Sequence, residues 1–390
     1  MKYKLEDICN RIYSGGTPST THKEYWNGDL PWLSSGETSQ RFVYTTEKFI
    51  TKEGVQKSST KYAKRNSIVM ASAGQGHTRG QVSFLMNDMY INQSVLVFEP
   101  EVSIVNPLYL YYNLDGRYEE LRQLSDGTST RGSLSGRIVK GMEIDLPNLS
   151  VQDKIVSVLY DIDKKIENNN QINRNLSEQA RSVYMETFGK FEKTKVLEDY
   201  PVKIYSGGTP STSKKEYWEG GDIHWLSSGE TANEFVTTTD KTITQLGVDN
   251  SSTKWASKYD VVTASAGQGH TRGQTTMILL NTCINQSVIV THAAKEYMPF
   301  IFFNLSGRYE ELRVLSDGTS TRGSLTTKIM AKLKMPDVTE NTIIKFSDYA
   351  WSAISQIEVN LKENEKLACL RDSLLLKLMT GEIDVSDLNI

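Results

Sequence analysis

Nearly every distinctive string in this chain occurs twice, which forces a fold built from two similar bodies. The run Ile12–Ser19, IYSGGTPS, returns as Ile204–Ser211, and WLSSGET beginning at Trp32 returns at Trp225. ASAGQGHTRGQ from Ala71 returns unchanged from Ala264, and LSDGTSTRGSL from Leu124 returns from Leu315. The offset between matches drifts by single residues only. A repeat of this length is a duplicated domain and not a solenoid unit, because each copy is large enough to bury its own core. Two similar surfaces are expected.

Composition narrows the class. The chain has 390 residues, 38% hydrophobic and 23% charged, as is ordinary for a globular protein. No apolar run approaches the ~20 residues that span a bilayer, and the start, MKYKLEDICN, lacks the apolar stretch of a signal peptide. No membrane association is expected. Cys9, Cys283 and Cys369 are scattered, with no CxxC or Cys/His spacing, which argues against disulfides and zinc and for a reducing, cytoplasmic compartment. Lys and Arg total 44 against 47 Asp and Glu, a net charge of −3. A nucleic-acid binder with this balance must focus its basic groups locally or borrow phosphate contacts from partner subunits.

Within each copy a mixed segment precedes a long amphipathic one. Residues 1–149 and 190–338 are punctuated by Gly, Ser, Thr, Asn and Asp around β-prone runs such as SIVMAS (67–72), QVSFLM (81–86) and QSVLVF (93–98). The second copy offers VVTASA (261–266), TTMILL (275–280) and QSVIV (286–290). A helix is expected over 107–121 and again over 299–312, and both segments close on a proline turn, at Pro147 and Pro336. Asn106-Pro107 reads as a helix start with proline in the first turn.

The segment after each of these prolines has coiled-coil spacing. Apolar residues fall at Ile155, Leu159, Ile162 and Ile166, then Ile172, Leu176, Ala180 and Val183, before Phe188 and a stop at Gly189; Ser150 with Asp153 suggests a capping box. The second copy places Ala350, Ile354, Ile357 and Leu361, then Leu367, Leu370, Leu374 and Leu378, with Gly381 as the stop. The expected long helices, over 150–189 and 339–381, leave a tail at 382–390. Treated as continuous, Val151–Phe188 is roughly 57 Å long at ~1.5 Å per residue. Asparagines interrupt the seam at 168–170 and 364, either fixing register or marking a bend. Connectivity favours an antiparallel pair with a globular domain toward each end. The expected fold class is therefore α+β: two similar mixed domains joined by two long antiparallel coiled-coil helices, related by an internal pseudo-two-fold.

This order, with GGTPST then EYW, then GD and WL near each domain start, GTSTRGSL before the proline, and QDKIVSVLYDIDKKIENNNQIN leading the first long helix, resembles the DNA-specificity (S) subunit of type I restriction-modification systems. The resemblance implies two target recognition domains, each reading half of a split double-stranded DNA site, with the helices as ruler and as docking platform for two methyltransferase (M) subunits. It further implies restriction/translocase (R) subunits as partners. It makes this chain non-catalytic, with S-adenosylmethionine, ATP and Mg belonging to the partner subunits and no cofactor here.

Two loops per copy combine flexible backbone with donors suited to DNA. The first copy offers Gln75, His77, Arg79 and Gln81, then Thr128, Ser129, Thr130 and Arg131; the second offers Gln268, His270, Arg272 and Gln274, then Thr319, Ser320, Thr321 and Arg322. Arg can fork onto guanine and Gln onto adenine, while hydroxyls and backbone N–H groups suit phosphate oxygens. The same strings also suit tight turns, so a structural role stands beside the binding one. Trp32, Trp225 and the tyrosines at 109, 111 and 112 read as core. The copies diverge between SSGET and ASAGQGHTRGQ, where Arg41, Lys57, Lys64 and Arg65 face Glu234, Asn250, Ser257 and Lys258. Shared loops predict related, near-palindromic half-sites, and the divergent stretch predicts a difference between them.

Catalytic motifs are missing from the sequence. It holds no GxxxxGK[ST] loop and no GxGxxG after a strand, and no base is paired with the serines of SSGET. Two classes remain: a non-enzymatic DNA reader, and a duplicated protein-interaction or glycan-binding module.

Overall fold

The computed structural model describes residues 1–74, 77–126, 133–267, 270–318 and 323–386. It divides into two compact units: Met1–Lys165 with Leu367–Ile390, and Ile166–Lys366. Unit 1 contains β1 (Lys2–Lys4), β2 (Cys9–Ser14), β3 (Trp26–Leu33), β4 (Phe42–Val43), β5 (Lys48–Ile50), α1 (Lys52–Gln56), β6 (Lys61–Ala63), β7 (Ile68–Ala71), β8 (Val82–Leu85), β9 (Met89–Ile91) and β10 (Val95–Pro100). After these come α2 (Pro107–Asp115), α3 (Tyr118–Asp126), α4 (Gly136–Lys140), β11 (Glu143–Asp145) and the long helix α5 (Leu149–Phe188), which continues into unit 2. Unit 2 repeats the series as β12 (Lys195–Val196), β13 (Val202–Ser206), β14 (Ile223–Leu226), β15 (Phe235–Val236), β16 (Lys241–Ile243), α6 (Gln245–Asp249), β17 (Lys254–Ala256), β18 (Val261–Ala264), β19 (Thr275–Ile278), β20 (Thr282–Ile284) and β21 (Val288–Ala293). It closes with α7 (Met298–Ser306), α8 (Tyr309–Asp317), α9 (Thr327–Ala331), β22 (Lys334–Met335) and the second long helix, α10 (Glu340–Met379).

In unit 1 a five-stranded sheet, ordered β2-β10-β7-β8-β4, stacks on a four-stranded sheet ordered β5-β3-β9-β6, and β1 pairs with β11. Strand alternation sorts the apolar residues into two cores. Val95 and Val97 of β10 turn toward Leu33 and Ile91 between the sheets, whereas Leu96 and Phe98 join Tyr109, Tyr112 and Leu159 under the helices. Because β10 is covered on both faces, its sequence is a continuous apolar run and not an alternation. Unit 2 has the same strand orders, β13-β21-β18-β19-β15 and β16-β14-β20-β17.

Both long helices are unbroken over 40 residues each, about 60 Å at ~1.5 Å per residue. Within each unit the two helical segments run antiparallel. In unit 1 Asp163 meets Arg371 while Ile155 and Leu159 share a core with Leu375 and Leu378. In unit 2 Asn169 Nδ2 donates to Asn364 Oδ1 (2.8 Å) and Asn360 Nδ2 to Asn173 Oδ1 (2.7 Å). Asn169, Asn170 and Asn364 therefore form a hydrogen-bonded layer in the seam within unbroken helices, while Asn168 is exposed.

Three local expectations are corrected. The helix expected over 107–121 ends at Asp115, since Gly116 N closes onto Tyr112 O and a new helix starts at Tyr118; the second copy breaks likewise after Ser306. Helix α5 is capped by Asn148, not Ser150: Asn148 Oδ1 accepts from Val151 N at 3.0 Å. Ile172 and Leu370 are exposed, because the buried stripe there passes through Asn169, Ser177 and Arg371 instead.

Candidate nucleic-acid interface

Strand order brings the repeated strings together. In unit 1, β2, β3, β7 and β9 end at the same edge at which β5, β6, β8 and β10 begin, as the pairs Ser14↔Leu96, Ala71↔Val95, Lys48↔Trp32, Ile91↔Leu33, Lys61↔Ile91 and Val82↔Met70 require. GGTPS, SSGET, AGQGHTRGQ and INQS therefore share one end of the domain. The fifth string joins them where Leu134 N donates to Ser72 O at 2.8 Å. In unit 2 the same end is built by Ser206↔Ile289, Ala264↔Val288, Leu226↔Ile284 and Leu325 N to Ser265 O at 2.9 Å.

Close backbone packing explains the glycine pair of this tip. Gly16 N donates to Ile91 O at 3.1 Å, and a Cβ added at Gly15 would stand 2.1 Å from that same oxygen. At Gly207 the corresponding distance to Ile284 O is 2.2 Å, so neither site admits a side chain. Trp32 Nε1 holds the loop by donating to Gly16 O (3.3 Å), as Trp225 Nε1 does to Gly208 O (3.4 Å). Both indoles are buried in the core, and each meets a second one edge-on, Trp26 and Trp218 respectively.

The predicted loop residues fall into four groups. His77 and His270 are exposed on the tip, their carbonyls accepting from Tyr118 and Tyr309 hydroxyls at 2.8 Å. Gln81 and Gln274 are half-buried beside them. Arg79 is buried and its guanidinium pairs with Asp126; Arg272 pairs with Asp317 at 2.8 Å. Each arginine thereby ties the Gly-rich loop to the end of the helix before the hydroxyl-rich loop. Gln75, Thr128, Ser129, Thr130, Arg131, Gln268, Thr319, Ser320, Thr321 and Arg322 lie outside the described residues.

Sequence reading missed Thr17 and Gln93, and their counterparts Thr209 and Gln286. Each threonine hydroxyl donates to the glutamine Oε1, bridging two of the repeated strings. Gln93 and Gln286 are exposed. The signal was present in the recurrence of INQSV at 91–95 and 284–288, but without a basic residue it read only as a strand start.

A groove runs beside each tip. In unit 1 it measures about 410 Å³ and is lined by Thr38, Ser39, Arg41, His77, Gln81 and Tyr118 among others. In unit 2 it measures about 490 Å³ and is lined by Thr231, Ala232, Glu234, His270, Gln274 and Tyr309, with Arg174 and Arg181 from α5. Arg41 is not offered freely to a ligand: it pairs with Asp115 (2.9 Å) and Asp163 (3.3 Å). Burial opposes its charge, but Tyr111, Asp115 and Asp163 outweigh that and raise its pKa. Burial in turn raises the Asp115 carboxyl, with Arg41 partly offsetting it. Among the described residues no group of three His, Cys, Asp or Glu could hold a metal ion, and no helix is long and apolar enough to cross a membrane.

The comparison with known families decides between the two classes left open by the sequence. A family model described as the type I restriction modification DNA specificity domain matches residues 1–178 and again 202–342. The chain belongs to this family. It is similar to the type I restriction enzyme MjaIX specificity subunit of Methanocaldococcus jannaschii, 26% identical over 420 residues that cover 99% of this chain and 94% of that protein. It is 29% identical over 166 residues to the Escherichia coli EcoR124I/EcoR124II specificity subunit, covering 42% and 41% of the two chains. The fold matches the crystal structure of the S subunit from M. genitalium with a TM-score of 0.57 and 16% identity, over 97% and 95% of the chains. The protein-interaction or glycan module is not favoured. This specificity subunit thus has two recognition domains, each with the same polar tip.

Proposed function

We infer that this chain reads a bipartite, near-palindromic DNA site as the non-catalytic specificity subunit of a type I restriction-modification complex, one half-site per tip. The observation that carries the reading is the convergence of all five duplicated strings on one end of each domain. A surface kept the same in both copies, polar and rich in Ser, Thr, Asn, Gln and Gly, is what two readers of related half-sites require. On this reading His77, Gln81, His270 and Gln274 contact DNA directly. Arg79 and Arg272 contribute through guanidinium groups anchored on Asp126 and Asp317, and the loops holding Gln75, Thr128, Ser129, Thr130 and Arg131, with Gln268, Thr319, Ser320, Thr321 and Arg322, complete the surface.

The long helices set the spacer and dock two methyltransferase subunits, and restriction/translocase subunits are further partners. S-adenosylmethionine, ATP and Mg act in those partners, in the cytoplasm. The net charge of −3 agrees with partners supplying much of the phosphate contact. The test is to map modified bases genome-wide in cells carrying this chain with its partners. A split motif with two related halves is expected, and affinity of the assembled complex for that duplex falls steeply with salt. Sequence-blind, salt-insensitive binding would overturn the reading.

A further inference from the structure

The two tips are so alike that the half-sites can differ only through the few exposed side chains that do not match. Of the four basic residues that set the first copy apart, three are accounted for elsewhere. Arg41 is spent on Asp115 and Asp163. Lys64 and Arg65 come after the far end of β6, where Arg65 N donates to Asp88 Oδ1 (2.8 Å). Lys57 alone stands at the tip.

Lys57 caps α1, with its N–H on Glu53 O at 2.9 Å, and leads into Ser58-Ser59-Thr60. That segment lies against the glycine loop, where a Cβ on Gly16 would meet Ser59 Oγ, and Thr60 Oγ1 donates to Ile91 O at 2.9 Å. The Lys57 side chain is exposed and makes no ion pair among the described residues. At the same place in unit 2, Asn250 caps α6 before Ser251-Ser252-Thr253, with Ser252 against Gly208. Its Nδ2 donates to Leu246 O at 3.0 Å, and the exposed side chain keeps Oδ1 and one N–H without a hydrogen-bond partner among the described residues. Those two groups match adenine N6–H and N7, whereas an ammonium matches the paired acceptors O6 and N7 of guanine.

We propose that Lys57 and Asn250 occupy the same reading position on the two tips and make the half-sites differ at one base pair, guanine for Lys57 and adenine for Asn250. This rests on the DNA-reading function above. Other exposed mismatches include Ser39 against Ala232, which differs by a hydroxyl, Gln40 against Asn233, which keeps the amide, and His22 against Lys214 and Gln56 against Asp249, which change charge.

The experiment selects bound sequences from a randomised duplex library with the full chain assembled with its methyltransferase subunits. Lys57→Asn installs what the second copy already carries, so folding is preserved. It is expected to make the two halves of the motif identical, shifting preference at that base roughly tenfold or more, and Asn250→Lys to make them identical in the other sense. An unchanged motif overturns the proposal. So does weaker binding of one half with no change of base, the mark of a phosphate contact, and so does equalisation by Ser39→Ala in place of Lys57→Asn. Failure of the wild-type chain to enrich any split motif overturns the parent function instead, and is a separate result.

Discussion

At the matching positions Arg41 and Glu234 the two recognition domains meet α5 with opposite electrical polarity. In unit 1 the cation comes from the domain: Arg41 lies over the rings of Tyr111 and Tyr112 and faces Asp163 of α5, which also accepts from Tyr112 hydroxyl (2.7 Å) and Arg371 Nη1 (2.8 Å). In unit 2 it comes from the helix: Arg181 of α5 lies over Phe303 and pairs with Glu234 of the domain at 2.8 Å. Where unit 1 buries Tyr112, Asp163 and Arg371, unit 2 places Phe303, Ile354 and Ala180 in the matching turns. Duplication thus kept the tips alike while the docking faces diverged, and each domain now complements its own helix segments.

The largest effect expected from this comparison is at Arg371. Arg371→Ala leaves the Asp163 carboxylate, 2% exposed, short of its main cation, at a cost of about 3–5 kcal/mol read from urea unfolding. Combining it with Asp163→Ile and Tyr112→Phe copies the unit 2 solution and is expected to recover most of that loss, because well-packed apolar replacements of buried ion pairs are often neutral and no buried hydroxyl is left without its acceptor. If the triple variant is no better than the single one, the two docking modes are not interchangeable.

A smaller effect tests the polarity itself. Glu234→Arg sets two guanidinium groups together and removes the acceptor of Arg181 and of Ser177 Oγ, costing about 2 kcal/mol; adding Arg181→Glu restores the pair in the unit 1 sense. Hydrogen exchange confined to unit 2 is the measurement, and absence of rescue breaks the inverted-pair picture. Asn169→Ala probes the seam of unit 2, where Nδ2 donates to the Glu363 carboxylate and to Asn364. It is expected to cost about 1–2 kcal/mol with little salt dependence.

The smallest effect is acidic. In unit 2 burial opposes the Glu358 charge, but Lys258, Lys362 and Tyr259 outweigh it and lower its pKa. Its contribution is present above the ordinary glutamate value of about 4.3 and lost as pH falls below it. Asp115 of unit 1 has the opposite sign: its raised pKa makes its contribution largest in acid and lost as pH rises. Glu358→Gln is therefore expected to blunt the acid response of unit 2, read by hydrogen exchange corrected for intrinsic rates. An acid response of unit 2 unchanged by the substitution would contradict it.

Duplication, the paired long helices, the core tryptophans and the family were all legible in the chain, because each is carried by local wording or by periodicity along one element. Only the tertiary structure decided which loops meet. Neighbouring strands such as β2, β10 and β7 are far apart in sequence, so Thr17 and Gln93 come together through register that no local pattern encodes. The same holds for charge: Arg41 and Lys57 look equivalent in the sequence, yet one folds into a cluster of carboxylates under the helices and the other stays in solvent at the tip.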